Sequence, residues 1–351
     1  MVDTVGPENR SHTGGEAFWR ERSVLVTGCT GLLGSWLTEA LVEAGAQVVG
    51  LIRDEVPQCH LVRSGTIRHI RVVHGDVTDY ATLERTLNEY EVETVFHLAA
   101  QTIVGIANRA PLSTFEANIK GTWVVLEAAR RSPTVRRVVV ASSDKAYGTQ
   151  PRLPYTEDMP LQGRHPYDVS KSAADLLAQA YAATYELPVA ITRCANLYGG
   201  GDLNWNRLVP GTIRSALQGE APIIRSDGTF IRDYLYVRDA VQAYLMLAEA
   251  LDDRALFGQA FNCGTDEPLS VLEMTRLILD LSPYPELEPV ILDAVSHEIR
   301  DQYLDSAKIR RVIGWRPRYS RAEALRETMA WYAAYLGLTQ DKSGATSDCE
   351  G

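Results

Sequence analysis

The stretch "SVLVTGCTGLLGSWL", residues 23 to 37, constrains the fold more than any other. An apolar run ends abruptly in three glycines, Gly28, Gly31 and Gly34, and an amphipathic stretch from Leu32 to Ala44 follows. A strand that turns through glycines straight into a helix is the opening of a βαβ unit. The pattern then repeats. "AQVVGLI", "HIRVVHGD", "TVFHLAA", "RRVVVAS" and "PVAITR" are short apolar runs separated by helical patterns near Ala81–Tyr90, Pro111–Arg131 and Tyr167–Tyr185. Strands apolar throughout, alternating with helices, predict a parallel sheet covered on both faces. Six such strands make an α/β, doubly wound (Rossmann) sheet.

After Arg193 the pattern loosens into Gly-rich loops and helices near Val209–Leu217, Val237–Leu251 and Arg321–Leu336. We therefore expect a dinucleotide-binding domain over 18–193. A smaller substrate lobe follows over 194–338, some of whose segments return to the sheet. Polar, loose tails are expected at 1–17 and 339–351.

The glycine triplet lets a backbone approach a pyrophosphate, and the helix that follows presents free N–H groups and a positive dipole end. A tight strand–helix turn alone would also use glycines, but the flanking strand and helix favour a bound dinucleotide. In "HPYDVSKSAADLL" Tyr167 and Lys171 stand one helical turn apart on one face. A nearby ammonium favours the phenolate, so Lys171 is expected to lower the Tyr167 pKa and make it a base toward a hydroxyl. Ser143 falls at the carboxyl end of the fifth strand, where open α/β sheets bind ligands. It can hydrogen-bond the same reacting oxygen, or merely cap the turn.

Taken together these pieces resemble the extended short-chain dehydrogenases/reductases that act on nucleotide-diphosphate sugars, over about Phe18 to Leu336. Supporting motifs are "FHLAAQT", "EANIKGT", "CANLYGGGD", "IRDYLYVRD" and "HEIRDQYLD". The resemblance implies cofactor contacts from Gly28, Gly31, Leu32, Leu33, Gly34, Arg53, Asp76, Val77, Leu98, Ala99, Ala100, Tyr167 and Lys171. It implies substrate contacts from Gln101, Asn118, Asn196, Arg207, Arg232 and Arg300. The alternative for each of the last two arginines is an exposed ion pair. Asp76 resembles the family's adenine-contacting acid; otherwise it caps a helix.

The cofactor expected is NAD(P)+. Arg53 follows the position where NAD-using relatives carry an acid, and resembles part of the basic pair of the GDP-mannose 4,6-dehydratases. It favours NADP+ over NAD+ unless it is only a solvated charge. The two helices at Pro111–Arg131 and Tyr167–Tyr185 resemble those that pair family subunits, so a homodimer through a four-helix bundle is expected.

"SSDKAYG" sets Asp144 and Lys145 after Ser143. In the 4-epimerases of the family these positions hold no acid or base. In the dTDP-glucose 4,6-dehydratases they are Asp-Glu, and in the CDP-glucose 4,6-dehydratases Asp-Lys. "FW", "GSWL" and "GGGDLNWNRLVP" also resemble the CDP-glucose enzymes, whereas "RDYLYV" resembles the wider family. The resemblance implies a 4,6-dehydratase: oxidation at C4, elimination of water across C5 and C6, and return of the hydrogen to C6. Buried and protonated, Asp144 would be the acid and neutral Lys145 the base. The alternatives are a 4-epimerase using Ser143, Tyr167 and Lys171 alone, and a non-catalytic NADP-sensing protein. An Asp144–Lys145 salt bridge is the bland account of the pair; adjacent strand residues point to opposite faces, which weighs against it.

The formal charge of −10 argues against nucleic acid or an anionic membrane as partner. The five cysteines (Cys29, Cys59, Cys194, Cys263, Cys349) are scattered, with no zinc or disulfide spacing, which suits a reducing cytoplasm and no metal. The first nineteen residues lack the apolar core of a signal peptide.

Overall fold

A computed structural model of the chain describes residues 14–294 and 299–338. Seven parallel strands form the central sheet: β1 (Ser23–Thr27), β2 (Gln47–Ile52), β3 (Arg71–His74), β4 (Thr94–His97), β5 (Arg137–Ala141), β6 (Val189–Cys194) and β7 (Ala260–Cys263). Their spatial order is β7-β6-β5-β4-β1-β2-β3. The sequence predicted six strands. The seventh comes from the second half of the chain and pairs in register with β6, from Ala260 opposite Ile191 to Cys263 opposite Cys194. It is only four residues long, too short to show a period.

Alternate residues of each strand serve opposite cores, as the pleat requires. Val24, Val26, Val139 and Ala190 belong to one cluster, together with Leu33, Leu37 and Leu41 of α1 (Leu32–Glu43). Leu25, Val138, Val140, Val189 and Ile191 belong to the other. That second cluster includes Leu83 and Leu87 of α2 (Tyr80–Glu89), Val124, Val125 and Ala128 of α3 (Gly121–Arg131), and Ala178 and Ala182 of α4 (Pro166–Tyr185). The first core also takes Val237, Ala240 and Leu247 of α5 (Val237–Ala250), which therefore covers the sheet although it lies beyond Arg193. Asp79 caps α2 through the N–H groups of Ala81 and Thr82.

The expected helix over Pro111–Arg131 is interrupted. An α-turn at Pro111–Phe115 runs into a π-turn at Glu116–Lys120 and then into α3. The extra residue in a π-turn re-aims the side chains it carries; here it carries Asn118, which is buried.

The remaining chain builds small sheets above the carboxyl edge. Asn196–Tyr198 pairs with Tyr234–Tyr236, and Ile231–Arg232 lies between Leu269–Ser270 and Asp301–Gln302. Val290–Ile291 pairs with Ile223–Ile224. The strand order reverses between β1 and β4, so the crevice at their carboxyl ends is the switch point where such sheets bind ligands.

Candidate active site

A cleft of about 1380 Å³ opens at that switch point. It exceeds the roughly 300–1,000 Å³ of a pocket for one drug-sized ligand, and so has room for two extended molecules. The glycine turn lines one end, Ser143, Asp144, Lys145, Tyr167 and Lys171 the middle, and the small sheets the other end.

The three glycines have different reasons to be glycine. Gly28 has φ +74°, and a Cβ there would lie 2.8 Å from the Ala99 nitrogen. A Cβ on Gly34 would lie 2.1 Å from the Gly28 oxygen. Both are demanded by the protein's own packing. A Cβ on Gly31 would meet only the Gly28 oxygen, at 3.3 Å, and Gly31 faces the cleft at the start of α1. No side chain caps that helix, so its first N–H groups remain for a ligand. This cradle fits a dinucleotide pyrophosphate. Leu32, Leu33, Val77, Leu98, Ala99 and Ala100 line the same end.

Arg53 stands exposed at the tip of β2. Its Nε donates to Asp54 Oδ2 at 2.7 Å, and its Nη1 lies 3.8 Å from Asp76 Oδ2. Two carboxylates beside the guanidinium would repel a 2′-phosphate dianion, so the preference for NADP+ drawn from Arg53 is not supported. Asp76 does not cap a helix: its Oδ1 accepts from the Thr78 N–H at 2.8 Å and the Thr78 hydroxyl at 2.7 Å.

β5 ends at Ala141, and two residues on, Ser143 caps a 3₁₀ turn, Asp144–Tyr147. Asp144 and Lys145 are thus turn residues, not strand neighbours on opposite faces. The Ser143 hydroxyl donates to Asp144 Oδ1 at 3.0 Å and accepts the Lys145 N–H at 3.2 Å. Asp144 is buried, and its Oδ2 has no hydrogen-bond partner among the described residues. Burial raises the carboxyl above its ordinary range, against the pull of Lys145, Ser143 and Arg232. Lys145 Nζ donates to Gln302 Oε1 at 3.2 Å; among the described residues it makes no salt bridge with Asp144.

The turn is fixed from behind. Arg193 on β6 makes a buried two-pronged ion pair with Asp175 at 2.8 and 3.0 Å and donates to the Tyr147 hydroxyl at 2.9 Å. Tyr147 in turn donates to Asn262 Oδ1 at 2.7 Å. Nothing in the sequence pattern announced this network.

Pro166 starts α4, and Tyr167 and Lys171 sit buried on its inner face. Lys171 Nζ donates to the Ala141 carbonyl at 2.8 Å, and burial lowers its pKa to about 8. Burial also pushes the Tyr167 phenol up to about 12, although Arg207 and the Ser143 hydroxyl pull it down. The lowering expected from Lys171 is not what the structure shows: the downward pulls come from Arg207 and Ser143, and desolvation outweighs them.

On the substrate side Gln101, Asn196, Arg207 and Arg232 line the cleft. Arg207 bridges Asp202 at 2.9 Å and the Thr102 hydroxyl at 3.2 Å. Arg232 donates to the carbonyls of Ile231, Ile299 and Arg300. Asn118 sits behind the wall: its Oδ1 accepts the Gln101 N–H at 2.7 Å, and its Nδ2 donates to the Gln101 carbonyl and Ser170 Oγ. It shapes the Gln101 loop. Arg300 does not join the cleft; it is exposed beside Thr229 and Asp227, the ion-pair alternative. Residues 297 and 298 of "HEIRDQYLD" lie outside the described residues. Sequence reasoning passed over Asp168 and Arg225, which also line the cleft, and Gln302.

The fold is that of the nucleotide-sugar short-chain dehydrogenases/reductases. The sequence pattern of the NAD dependent epimerase/dehydratase family matches residues 24–264, and the chain belongs to that family. It is 32% identical to the CDP-glucose 4,6-dehydratase of Salmonella typhimurium, over 91% of this chain and 92% of that one. Among solved structures, the UDP-glucose 4-epimerase of Thermotoga maritima with UDP-glucose superposes with a TM-score of 0.80 at 28% identity, covering 90% of this chain and 99% of that one. The dTDP-glucose 4,6-dehydratase of Bacillus anthracis in complex with NAD does so with a TM-score of 0.77 at 26% identity, covering 89% and 97%. No described helix is long and apolar enough to cross a membrane.

Proposed function

We propose that the protein is an NAD-dependent nucleotide-diphosphate-sugar 4,6-dehydratase, with CDP-glucose the first substrate to test. The observation that carries this is Asp144. It is a buried carboxyl with a raised pKa and one unpartnered oxygen, in the same turn as Ser143 and Lys145. A 4-epimerase needs only Ser143, Tyr167 and Lys171, and has no use for an additional buried acid.

Bound oxidised dinucleotide would supply the hydrogen acceptor at C4 and later the donor at C6. The chain's residues handle the protons. Ser143 and Tyr167 hold the C4 oxygen, and Tyr167 takes its proton. Burial holds the phenol near 12 in the chain alone, and Arg207 and the Ser143 hydroxyl pull it toward the phenolate. Lys171, anchored to the Ala141 carbonyl, adds its ammonium at pH below about 8. Once C4 is a ketone the C5 proton is acidic. Lys145 in its neutral form removes it as Asp144 protonates the departing C6 hydroxyl, which leaves as water, and once hydrogen has returned to C6 the ammonium of Lys145 gives a proton back to C5. Gly28 to Gly34 would hold the pyrophosphate, and Arg207 and Arg232 the substrate diphosphate. Cofactor binding is assigned to 18–193 and substrate binding mainly to 194–338.

The runner-up is a 4-epimerase, supported by the shared Ser143, Tyr167 and Lys171 and by the likeness to the Thermotoga enzyme. We also assign a homodimer through α3 and α4, because Trp123, Val169, Leu176 and Tyr185 on these helices are exposed apolar side chains. A cytoplasmic setting suits the four described cysteines, all buried free thiols. A thermal-shift panel of CDP-, GDP-, UDP- and dTDP-glucose and GDP-mannose, each with NAD or NADP, tests the assignment. Product analysis should follow for the pair that binds. A 6-deoxy-4-keto sugar supports the proposal, and a C4 epimer overturns it.

A further inference from the structure

Gln302 lies 157 residues from Lys145 in sequence, yet its Oε1 accepts the Lys145 ammonium at 3.2 Å. It is completely buried. The two-residue strand Asp301–Gln302 runs parallel to Ile231–Arg232, with Gln302 opposite Arg232. Arg232 donates to the Ile299 and Arg300 carbonyls, both at 2.6 Å, and so pins the chain leading into Gln302. The amide nitrogen, Nε2, is buried without a hydrogen-bond partner among the described residues. An unmade buried hydrogen bond is costly, because the group has given up water for nothing. Turning the amide over would not relieve it, because the NH₂ would then face an ammonium that can only donate. Lys145 therefore dictates the orientation of Gln302.

We infer that Gln302 is a positioning residue for the proton transfer at C5: it aims Lys145 at the sugar and keeps a neutral acceptor, not an anion, against its ammonium. This rests on the dehydratase assignment. The chemistry explains why an amide suits the position. Asp144 in the same turn and Asp168 on α4 already act on Lys145, with Arg232 acting on Asp144 and His165 on Asp168. Burial pushes both carboxyls toward their neutral forms. A carboxylate in place of Gln302 would hold Lys145 charged and unable to accept a proton. An apolar side chain there would leave the ammonium without its directing acceptor.

The test uses the full chain with NAD bound and lysines labelled at Cε, the Lys145 signal being assigned by its loss in Lys145→Met. In Gln302→Glu the Lys145 titration midpoint should rise by about 1–3 pH units. In Gln302→Leu it should fall. With CDP-glucose, both variants should lose about 10- to 100-fold in kcat with KM within about twofold. The alkaline-side activity of Gln302→Glu should recover as pH is raised. Identical Lys145 midpoints in parent and both variants overturn the inference. So does a loss confined to KM. The Lys145 titration needs no turnover, so it decides the role of Gln302 even if Lys145→Met stays active and the dehydratase assignment itself falls.

Discussion

The Ser143 hydroxyl donates to one oxygen of Asp144 at 3.0 Å, while the other oxygen is buried and unpartnered. A buried carboxyl satisfied on one side only is poised to hold a proton on the other. Asp144→Asn keeps the shape and removes that proton. The expected result is a kcat loss of about 100- to 10,000-fold, with C4 oxidation retained and reduced dinucleotide accumulating in a single turnover. Absorbance at the reduced nicotinamide band during one turnover checks this.

Gly31 and Gly34 should respond differently to alanine. At Gly31 the added methyl meets one oxygen at 3.3 Å and projects into the cleft. The fold should survive, with a melting temperature within about 2–4 °C of the parent, and NAD should no longer raise it. At Gly34 the methyl would sit 2.1 Å from a backbone oxygen, so Gly34→Ala should not yield folded protein. Thermal melts with and without NAD separate the two cases.

Arg53 was the sequence argument for NADP+, and its neighbours are the argument against. With Asp54 and Asp76 beside it, NAD should bind at least about tenfold more tightly than NADP, the effect of a repulsion near 1.4 kcal/mol. The double variant Asp54→Asn, Asp76→Asn should narrow or reverse that ratio. Calorimetric titration of both dinucleotides measures it.

Lys171 should cost stability. Its pKa falls from an ordinary 10.5 to about 8 in the folded chain. Below about pH 8 both folded and unfolded chains carry the ammonium, and the folded chain bears the full burial penalty. Between about 8 and 10.5 the unfolded chain binds more protons, so stability rises with pH. Lys171→Met should therefore be more stable than the parent at pH 7, by about 1–2 kcal/mol once the lost bond to Ala141 is allowed for. That advantage should shrink as pH passes through this window. Urea melts at a series of pH values test it; activity should be lost throughout.

What was legible in the sequence was local. The glycine triplet, the Tyr167–Lys171 spacing and the apolar strands each declare themselves within a few residues, because one turn or one helix face fixes them. Contacts made by the tertiary fold were not legible. Gln302 reaches Lys145 through a two-residue strand, and β7 joins the sheet with four residues. Asn118 was expected at the substrate, but a π-turn aims it at the Gln101 backbone instead. Arg53 and Arg300 misled for one reason: an arginine's role depends on which carboxylates the fold brings beside it.

The most direct test is the fate of hydrogen at C5. CDP-glucose should be turned over in deuterium oxide with NAD, and the product read by NMR. A 6-deoxy-4-keto sugar carrying deuterium at C5 is the predicted result. A sugar changed only in configuration at C4, with its C5 hydrogen undisturbed, would contradict the assignment of Asp144 and Lys145 to elimination.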